Sequence, residues 1–259
     1  MTVRDALADG ELAKAVRLQT LAVTADPTPA ALLQLAELHL VAGQLREAWD
    51  AVSGIASGDP AWPASRRSWR DLIRATKRRD ERRRSFHPLS VDLPPHARHR
   101  LRLAGLLEAG SRQLASRHAD AADEASPQLH GYVDGQEFTG LRDMDDRFAS
   151  VLEVFFGEAY VVVPLERLDW IRLLPVAGVA DTVYRPAELR SIDGEVWPCV
   201  LPLVYPSSHD SGGEFALGYG TDCPDESALS VVAVGARVWY FGENEGPLSE
   251  CRQIDLRVG

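Results

Sequence analysis

The stretch that decides the fold of the C-terminal half is residues 131–168, GYVDGQEFTGLRDMDDRFASVLEVFFGEAYVVVPLERL. Its first residues predict two short strands that are joined by a tight turn at Asp134 and Gly135. Residues 159–163 are continuously apolar, which is typical of a strand covered on both faces, and Pro164 ends that strand. The stretch therefore predicts a folded core that contains a hairpin and a buried strand.

Between these strands, the spacing of the apolar residues predicts an amphipathic helix from Asp143 to Gly157. Asp143 has the side chain of a helix N-cap, and Asp145 and Asp146 would face the positive end of the helix dipole. Gly157 belongs to the residue type that most often ends helices. The predicted apolar face consists of Met144, Phe148, Val151, Leu152 and Phe155.

The composition is that of an ordinary globular protein, with 259 residues, 45% of them hydrophobic and 25% charged. Residues 1–130 carry 19 Lys and Arg against 16 Asp and Glu, whereas residues 131–259 carry 9 against 22. This asymmetry fits two domains, and the acidic half argues against nucleic acid as a partner. No stretch approaches the roughly 18 apolar residues of a membrane span, so we expect a cytoplasmic protein without a membrane partner.

The cysteine content argues against a covalent or metal-bound framework. Cys199, Cys223 and Cys251 are odd in number and far apart. A disulfide framework needs pairs, and a structural zinc site needs ligands about two to four residues apart. We therefore expect packed or idle thiols and predict no cofactor.

A repeated pattern of glycine, alanine and proline marks the N-terminal half. The three copies are Gly10, Ala15 and Pro27; Gly43, Ala48 and Pro60; and Gly110, Ala115 and Pro127. Their spacing matches tetratricopeptide-type helical hairpins, whose period is about 34 residues. Glycine permits the tight turn, alanine lets the helices approach, and proline ends the second helix. A generic helical bundle is the competing interpretation.

Between the second and third copies the repeat fails, and a dense basic run takes its place. Residues 62–84 have a helical pattern, and residues 85–95 predict an extended connector. The basic residues are Arg66, Arg67, Arg70, Arg74, Lys77, Arg78, Arg79, Arg82, Arg83 and Arg84. We favour a solvated helix with internal ion pairs; the alternatives are docking onto the acidic C-terminal half and binding of nucleic acid.

Beyond Pro164, short β-prone runs alternate with turn residues. The predicted elements are a strand at 168–174, a hairpin at 188–204 around Asp193 and Gly194, a second hairpin at 230–241 around Gly235, and a last strand at 253–257 that closes the sheet. Residues 205–225 predict a long surface loop.

These elements predict an α+β, two-domain fold. Residues 1–128 would form an all-α domain of tetratricopeptide-like helical hairpins. Residues 129–259 would form an α+β domain with a mostly antiparallel sheet and one main helix.

Residue types that support catalysis occur only in weak arrangements. Cys199, His209 and Asp210 have the chemistry of a thiol nucleophile with its base, but Cys199 lies in a predicted strand, so a packed thiol is favoured. His96 and His99 could share a helix face with a metal, but no acidic or cysteine partner is near them in sequence, so exposed histidines are favoured. The sequence therefore predicts no catalytic, cofactor-binding or metal site, and a binding protein rather than an enzyme.

The runs VDGQEF, DDRFASVLE and AYVVVPLER resemble the signature of the ImpE family, also called SciE or TagJ, virulence-associated accessory proteins encoded with type VI secretion systems. The resemblance rests on Asp134, Gly135, Phe138, Asp146, Arg147, Leu152, Glu153, Tyr160, Pro164, Glu166 and Arg167. Two later landmarks follow in the family's order: Tyr184, Arg185 and Pro186, then Tyr205, Pro206 and Ser207.

The resemblance implies a non-catalytic adaptor that binds the small subunit of a contractile sheath through a helix presented by that subunit. It would thereby influence how the sheath meets the AAA+ ATPase that recycles it. A helical-repeat groove suits this task, because an amphipathic helix can bury its apolar face there. The motif residues with a structural or partner-binding role would be Asp134, Gly135, Phe138, Asp146, Arg147, Pro164, Glu166, Arg167, Tyr205 and Pro206.

Two roles stay open for the charged motif residues Asp146, Arg147, Glu166 and Arg167. Internal ion pairs are favoured over contact with a partner. Two other functions also stay open from the sequence: a general helical-repeat scaffold, and a small thiol hydrolase that uses Cys199 and His209.

Overall fold

The N-terminal half of the chain is helical. The computed structural model describes residues 1–55, 62–224 and 230–258, and for residues 62–67 it describes the backbone alone. The helices in the described part are α1 Val3–Ala8, α2 Leu12–Ala25, α3 Pro29–Val41, α4 Leu45–Gly54, α5 Trp62–Asp80, α6 Pro95–Glu108 and α7 Arg112–Ala125. Within the described ranges, no helix is both long enough and apolar enough to cross a bilayer.

The repeated glycines take the same left-handed conformation at the turn of each helical hairpin. The angle φ is +71° at Gly10, +72° at Gly43 and +71° at Gly110, a region that residues with a Cβ atom rarely adopt. The alanines of the pattern, Ala15, Ala48 and Ala115, are completely buried. The predicted hairpins α1–α2, α3–α4 and α6–α7 are confirmed, and Pro60 of the second copy lies outside the described residues.

A connector, residues 81–94, separates α5 from the third hairpin and runs along the edge of the sheet. The amide of Ser85 donates a hydrogen bond to the carbonyl of Tyr160 at 2.7 Å. The ring of His87 stacks on Phe156, with 3.9 Å between centroids. The repeat fails here because the connector packs against the sheet instead of forming a helical hairpin.

The C-terminal half is built from antiparallel strands. Their bounds are β1 Leu129–Val133, β2 Gln136–Thr139, β3 Leu141–Asp143, β4 Val151–Phe156, β5 Ala159–Pro164, β6 Leu168–Leu173, β7 Tyr184–Ser191, β8 Val196–Pro202, β9 Thr221–Asp222, β10 Val234–Gly235, β11 Val238–Phe241, β12 Asn244–Pro247 and β13 Gln253–Val258. The main sheet has the order β2-β1-β13-β6-β7-β8-β4-β5. A smaller sheet has the order β12-β11-β3, and β9 pairs with β10.

Two hairpins predicted by turn residues are confirmed. Strands β1 and β2 pair across Asp134 and Gly135, which both have positive φ, at +49° and +86°. Strands β7 and β8 pair around a turn that contains Gly194, at φ +87°. The α+β class with N-terminal helical hairpins and a C-terminal antiparallel sheet is therefore confirmed.

The predicted helix from Asp143 to Gly157 is wrong, because this stretch contains the end of β3, a turn and strand β4. Residues 151–155 of β4 are all buried, and β4 lies between β5 and β8. A strand that is covered on both faces needs apolar side chains on both, and such a run also satisfies helical spacing. Among the described residues of this half, the α-helix is the single turn α8, Gly213–Ala216.

Three further predictions for this half need correction. Val234 and Gly235 pair with β9 rather than with β11, which instead lies between β12 and β3. Strand β13 is an interior strand between β1 and β6, not the last strand of the sheet. The loop predicted at residues 205–225 is described over residues 205–224, and these do not form a simple surface loop, because Tyr205 is 1% exposed and α8 lies within them.

The helices and the sheet share a core. One apolar cluster joins buried residues of α1–α6 to those of β4 and β5 and of the segments near residues 180–184 and 204–217. A second cluster lies within the strands. The boundary at 128/129 falls between α7 and β1, but the division into two domains stays a prediction, because the first cluster crosses that boundary.

Candidate partner-binding site

A buried ionic layer joins α5 to the sheet. Arg79 of α5 makes two hydrogen bonds to Glu153 of β4, with Nε–Oε1 at 3.0 Å and Nη2–Oε2 at 2.6 Å. Arg237 donates to the same carboxylate and also to Asp143 Oδ2, at 3.0 Å. None of the four side chains is more than 4% exposed. Because an unpaired buried charge is costly, the two cations and two anions depend on one another.

Uncharged donors complete this ionic layer. The hydroxyl of Tyr160 donates to Glu153 Oε1 at 2.8 Å. The hydroxyl of Tyr205 and the indole nitrogen of Trp239 donate to Asp143, at 2.8 and 3.0 Å. The carboxylates therefore receive hydrogen bonds from strands, helix and loop together, which fixes the helices on the sheet.

The two buried carboxyl groups titrate differently because they face different numbers of cations. Burial by itself raises the pKa of Glu153, but the guanidinium groups of Arg79 and Arg237 outweigh it and lower the pKa to about 2. Burial raises the pKa of Asp143 to about 6, and the neighbouring carboxylate of Asp145 adds to this effect. Arg237 and the hydrogen bonds from the amide of Asp145 and the hydroxyl of Tyr205 oppose it only in part.

The acidic turn after β3 holds a distant segment by its backbone. Asp145 pairs with Arg147 at 2.6 Å and accepts a hydrogen bond from the amide of Ala233 at 2.8 Å. Asp146 accepts one from the amide of Val231 at 2.7 Å. The interpretation of these aspartates as a charged helix start is wrong: their carboxylates bind amides of the segment 231–233 instead.

His96 connects α6 to the sheet. Its Nδ1 lies 2.8 Å from the hydroxyl of Ser150, and its Nε2 lies 2.6 Å from Oε1 of Glu166. The expectation of an exposed histidine is wrong for His96, which is 1% exposed. His99 contacts His118 instead, with 2.7 Å between their Nδ1 atoms. The described residues contain no group of three or more side chains placed to bind a metal ion.

Three motif residues lie at the β1–β2 hairpin. The carboxylate of Asp134 accepts hydrogen bonds from the amides of Arg252 and Gln253, the latter at 2.8 Å. Gly135 forms the turn with no atom near the position of a Cβ. Phe138 is buried in the core of the strands. A role of these residues in partner binding stays a prediction.

Four other motif residues lie closer to the helices. Arg167 donates hydrogen bonds to three backbone carbonyls of the connector. Pro164 ends β5, and Tyr205 is bonded to the ionic layer. Pro206 lines a cleft that is described below. A role of these four residues in partner binding also stays a prediction.

The basic run contains internal ion pairs, as the favoured interpretation expected: Arg74 pairs with Asp71, and both Lys77 and Arg83 pair with Glu81. It is not, however, a fully solvated helix. Arg79 is buried on Glu153, and Arg74 and Arg78 lie 3.5 and 3.4 Å from Glu158 of the C-terminal half. The alternative of docking onto that half therefore accounts for three of the ten basic residues. Lys77, Arg83 and Arg84 are exposed, and the side chains of Arg66 and Arg67 lie outside the described residues.

The structure does not bring the candidate nucleophile and base together. Cys199 lies in β8 within the core of the strands, and burial raises the pKa of its thiol far above the ordinary value. A nucleophilic cysteine needs the opposite shift. His209 lies in the loop after β8, 3.6 Å from Asp210, and no hydrogen bond joins it to Cys199.

A cleft opens between α5 and α6 on one side and residues 205–210 and 230–234 on the other. It consists of two adjoining cavities of about 340 and 390 Å³. The residues that line both cavities are Arg82, Ala104, Glu108, Arg147, Pro206 and Ser207. We call it the α5–α6 cleft.

The α5–α6 cleft contains many charged groups, most of them paired within the chain. The first cavity is lined by Arg79, Arg82, Arg84, Arg100 and Arg147, and by Asp80, Glu108, Glu153 and Asp210. Arg82 donates to the carbonyl of Ala104 at 2.8 Å and pairs with Glu108. Arg100 donates to the backbone of Asp146 and pairs with Asp123. Arg84 is exposed, and its side chain forms no ion pair with any residue that the structure describes.

The sequence does not reveal the residues that build this site. Arg79 is one of ten basic residues in its run, and Arg237 has no sequence feature that marks it as buried. Glu153 carries a signal, since a single carboxylate interrupts the apolar run VLEVFF. Such a residue in a buried strand requires a cation, but the sequence does not say which one.

Comparison with known proteins agrees with this architecture. The family model described as ImpE protein matches residues 135–255, from the β1–β2 turn into β13. Over 148 residues the chain is 28% identical to the type VI secretion system accessory component TagJ of Pseudomonas aeruginosa. That match covers 57% of this chain and 51% of TagJ, so it spans about half the length of the curated relative.

A solved structure shows the same fold over the whole length. The crystal structure of protein VPA1032 from Vibrio parahaemolyticus has a TM-score of 0.89 and covers 99% of this chain and 98% of its own, at 19% identity. At that identity the likeness concerns the fold alone. The family model and the similarity to TagJ together lead to one conclusion: residues 135–255 of the chain match the ImpE family.

Proposed function

We propose that the protein is a cytoplasmic, non-catalytic adaptor of a type VI secretion system. It binds the small subunit of the contractile sheath through a helix presented by that subunit, and it thereby influences how the sheath meets the AAA+ ATPase that recycles it. The observation that carries the proposal is the similarity to TagJ, a type VI secretion system accessory component, together with the ImpE match over residues 135–255.

The chemistry of the described residues supports binding rather than catalysis. The buried acids and bases of the ionic layer are joined to each other, so their charges serve the contact between α5 and the sheet. Cys199 is buried with a raised pKa. An adaptor needs a stable scaffold and an open surface, and the α5–α6 cleft offers such a surface.

The test is titration calorimetry of the full chain with the purified small sheath subunit from the same secretion system. We expect a dissociation constant of about 1 μM or tighter, equivalent to about −8 kcal/mol. The matched control is the same subunit with a proline in the middle of its presented helix, which breaks the helix and abolishes binding. Absence of association with the unmodified subunit would contradict the adaptor role.

A further inference from the structure

The α5–α6 cleft has the properties of a docking site for one helix of the partner. Resting on the proposed function, we propose that the partner's helix lies along α6, with a small apolar face over Gly105 and an acidic residue directed at Arg84. The proposal goes beyond the adaptor role because it names the surface and the chemistry of the segment that binds there.

The α6 wall of the cleft is a single helix face. Leu101, Ala104, Gly105 and Glu108 have the spacing i, i+3, i+4 and i+7, and all four line the first cavity. A Cβ atom built at Gly105 would meet nothing within 4 Å. Glycine inside a helix costs about 1 kcal/mol relative to alanine, yet packing within this chain does not require it here. The absence of a side chain allows a partner's backbone to approach α6 closely.

The opposite wall has an apolar part and a polar part. The apolar part is formed by Phe148, Pro206, Val232, Ala233 and Val234, and the polar part includes Arg147, Ser207, His209 and Asp210. An amphipathic helix recognises such a groove through side chains spaced three and four residues apart. Each cavity is of a size that side chains from one helix face fill, and the two adjoin along α6.

Buried polar atoms that lack a partner lie in the same cleft. Arg100 lines the first cavity, is completely buried, and has an Nε group with no hydrogen-bond acceptor. Ser230 lines the second cavity, is 3% exposed, and has a hydroxyl without a partner. Buried polar groups are normally satisfied, so these two indicate that polar atoms of a ligand complete the site.

The charge of the rim selects an acidic residue on the docking helix. Arg84 lines the cleft, is exposed and forms no ion pair with a described residue, in contrast to Arg79, Arg82, Arg100 and Arg147. A guanidinium in this state is free to bind a carboxylate with two hydrogen bonds. The same cavity is also lined by Asp80 and Asp210, which disfavour an acidic residue beside them.

Calorimetry with the purified small sheath subunit tests this surface with two pairs of variants. Gly105→Leu fills the space on α6, and Gln113→Leu adds the same side chain at an exposed residue of α7 that lines neither cavity. Arg84→Glu reverses the unpaired charge, and Arg83→Glu makes the same change at the exposed neighbour. We expect about tenfold or greater weakening for Gly105→Leu and Arg84→Glu, and less than about twofold for the controls.

The outcomes separate this proposal from the proposed function. If the wild-type chain does not bind the subunit, the adaptor role and the docking site both fall. If the wild-type chain binds and both cleft variants bind within about twofold of it while retaining a cooperative thermal transition, the adaptor role stands and the cleft is not the docking site. If Gly105→Leu does not fold, the affinity of Arg84→Glu, which is a change at the surface, tests the docking site by itself.

Discussion

The helical hairpins α3–α4 and α6–α7 share their turn but not their surroundings. The glycines at the two turns, Gly43 and Gly110, have φ of +72° and +71°. A Cβ atom at Gly43 would overlap the ring of His209, with Cγ at 2.6 Å, whereas one at Gly110 would meet nothing within 4 Å. Residues close in sequence thus determine the conformation of the turn. Residues distant in sequence, such as His209, determine whether the turn packs against another part of the chain.

The comparison extends to how each region is attached. Helix α5, which packs against α4, is fixed to the sheet by Arg79 and its buried pair with Glu153. Helix α6 is attached near its N-terminal end by His96. The attachment of α5 lies at the α5–α6 cleft, since Arg79 and Glu153 line its first cavity, whereas His96 lines neither cavity.

Removing the ionic attachment of α5 has the largest expected effect. Glu153→Gln leaves Arg79 and Arg237 buried without their shared counter-charge, which lowers the free energy of unfolding by about 4 kcal/mol at pH 7. Urea denaturation followed by circular dichroism measures the free energy of unfolding. The control Glu158→Gln removes an exposed partner of Arg74 and Arg78 and costs less than about 1 kcal/mol. Equal losses for the two variants would show that the layer does not hold α5.

The difference in unfolding free energy between wild type and Glu153→Gln depends on pH, and the direction of this dependence follows from the pKa of Glu153. The pKa of Glu153 is lowered from 4.5 to about 2 in the folded protein. Its contribution, about 3 kcal/mol, is therefore complete above pH 4.5 and is lost as the pH falls towards 2. The difference in unfolding free energy between wild type and Glu153→Gln should shrink over this window. A difference that stays constant between pH 5 and pH 2.5 would contradict the assignment.

The two glycine turns give a smaller, paired effect. Gly110→Ala forces a Cβ into the left-handed region and costs about 1 kcal/mol. Gly43→Ala costs about 1 kcal/mol more, because His209 must also move. In a His209→Ala background this excess disappears, so a double-mutant cycle by thermal denaturation isolates it. Equal costs at both glycines in the unmodified chain would mean that the α3–α4 turn is not held by the loop.

The smallest expected effect is a gain in stability. Gly105→Ala removes a glycine from the interior of α6 and adds a methyl group in open space, so it raises the free energy of unfolding by about 0.5–1 kcal/mol. Thermal denaturation of the variant and of the wild type under the same conditions checks this gain, and we expect a higher midpoint for the variant. A fall would show that the space beside Gly105 is needed by the chain itself.

Local features were predictable from sequence, whereas the candidate site was not. The turns at Gly10, Gly43 and Gly110 and the β1–β2 hairpin follow from residues a few positions apart. The partners in the ionic layer, by contrast, are separated by 74 residues for Arg79 and Glu153 and by 94 for Arg237 and Asp143. Such pairings depend on the whole topology, which one sequence does not specify.

The error at β4 has a related physical cause. Residues 151–156 are apolar at helical spacing because they are apolar almost without interruption, as a doubly covered strand requires. Glu153 was the residue that distinguished the two possibilities. On a one-sided helix it would point to solvent, whereas in β4 it is buried and needs cations from two distant elements.

Hydrogen exchange of the full chain, with and without the purified small sheath subunit, tests the account most directly. A helix docked along α6 slows amide exchange at residues 98–112, 204–210 and 230–234, and it leaves β2, at the far edge of the sheet, unchanged. No slowing at any peptide when the subunit is in excess, or slowing confined to β1 and β2, would contradict the account.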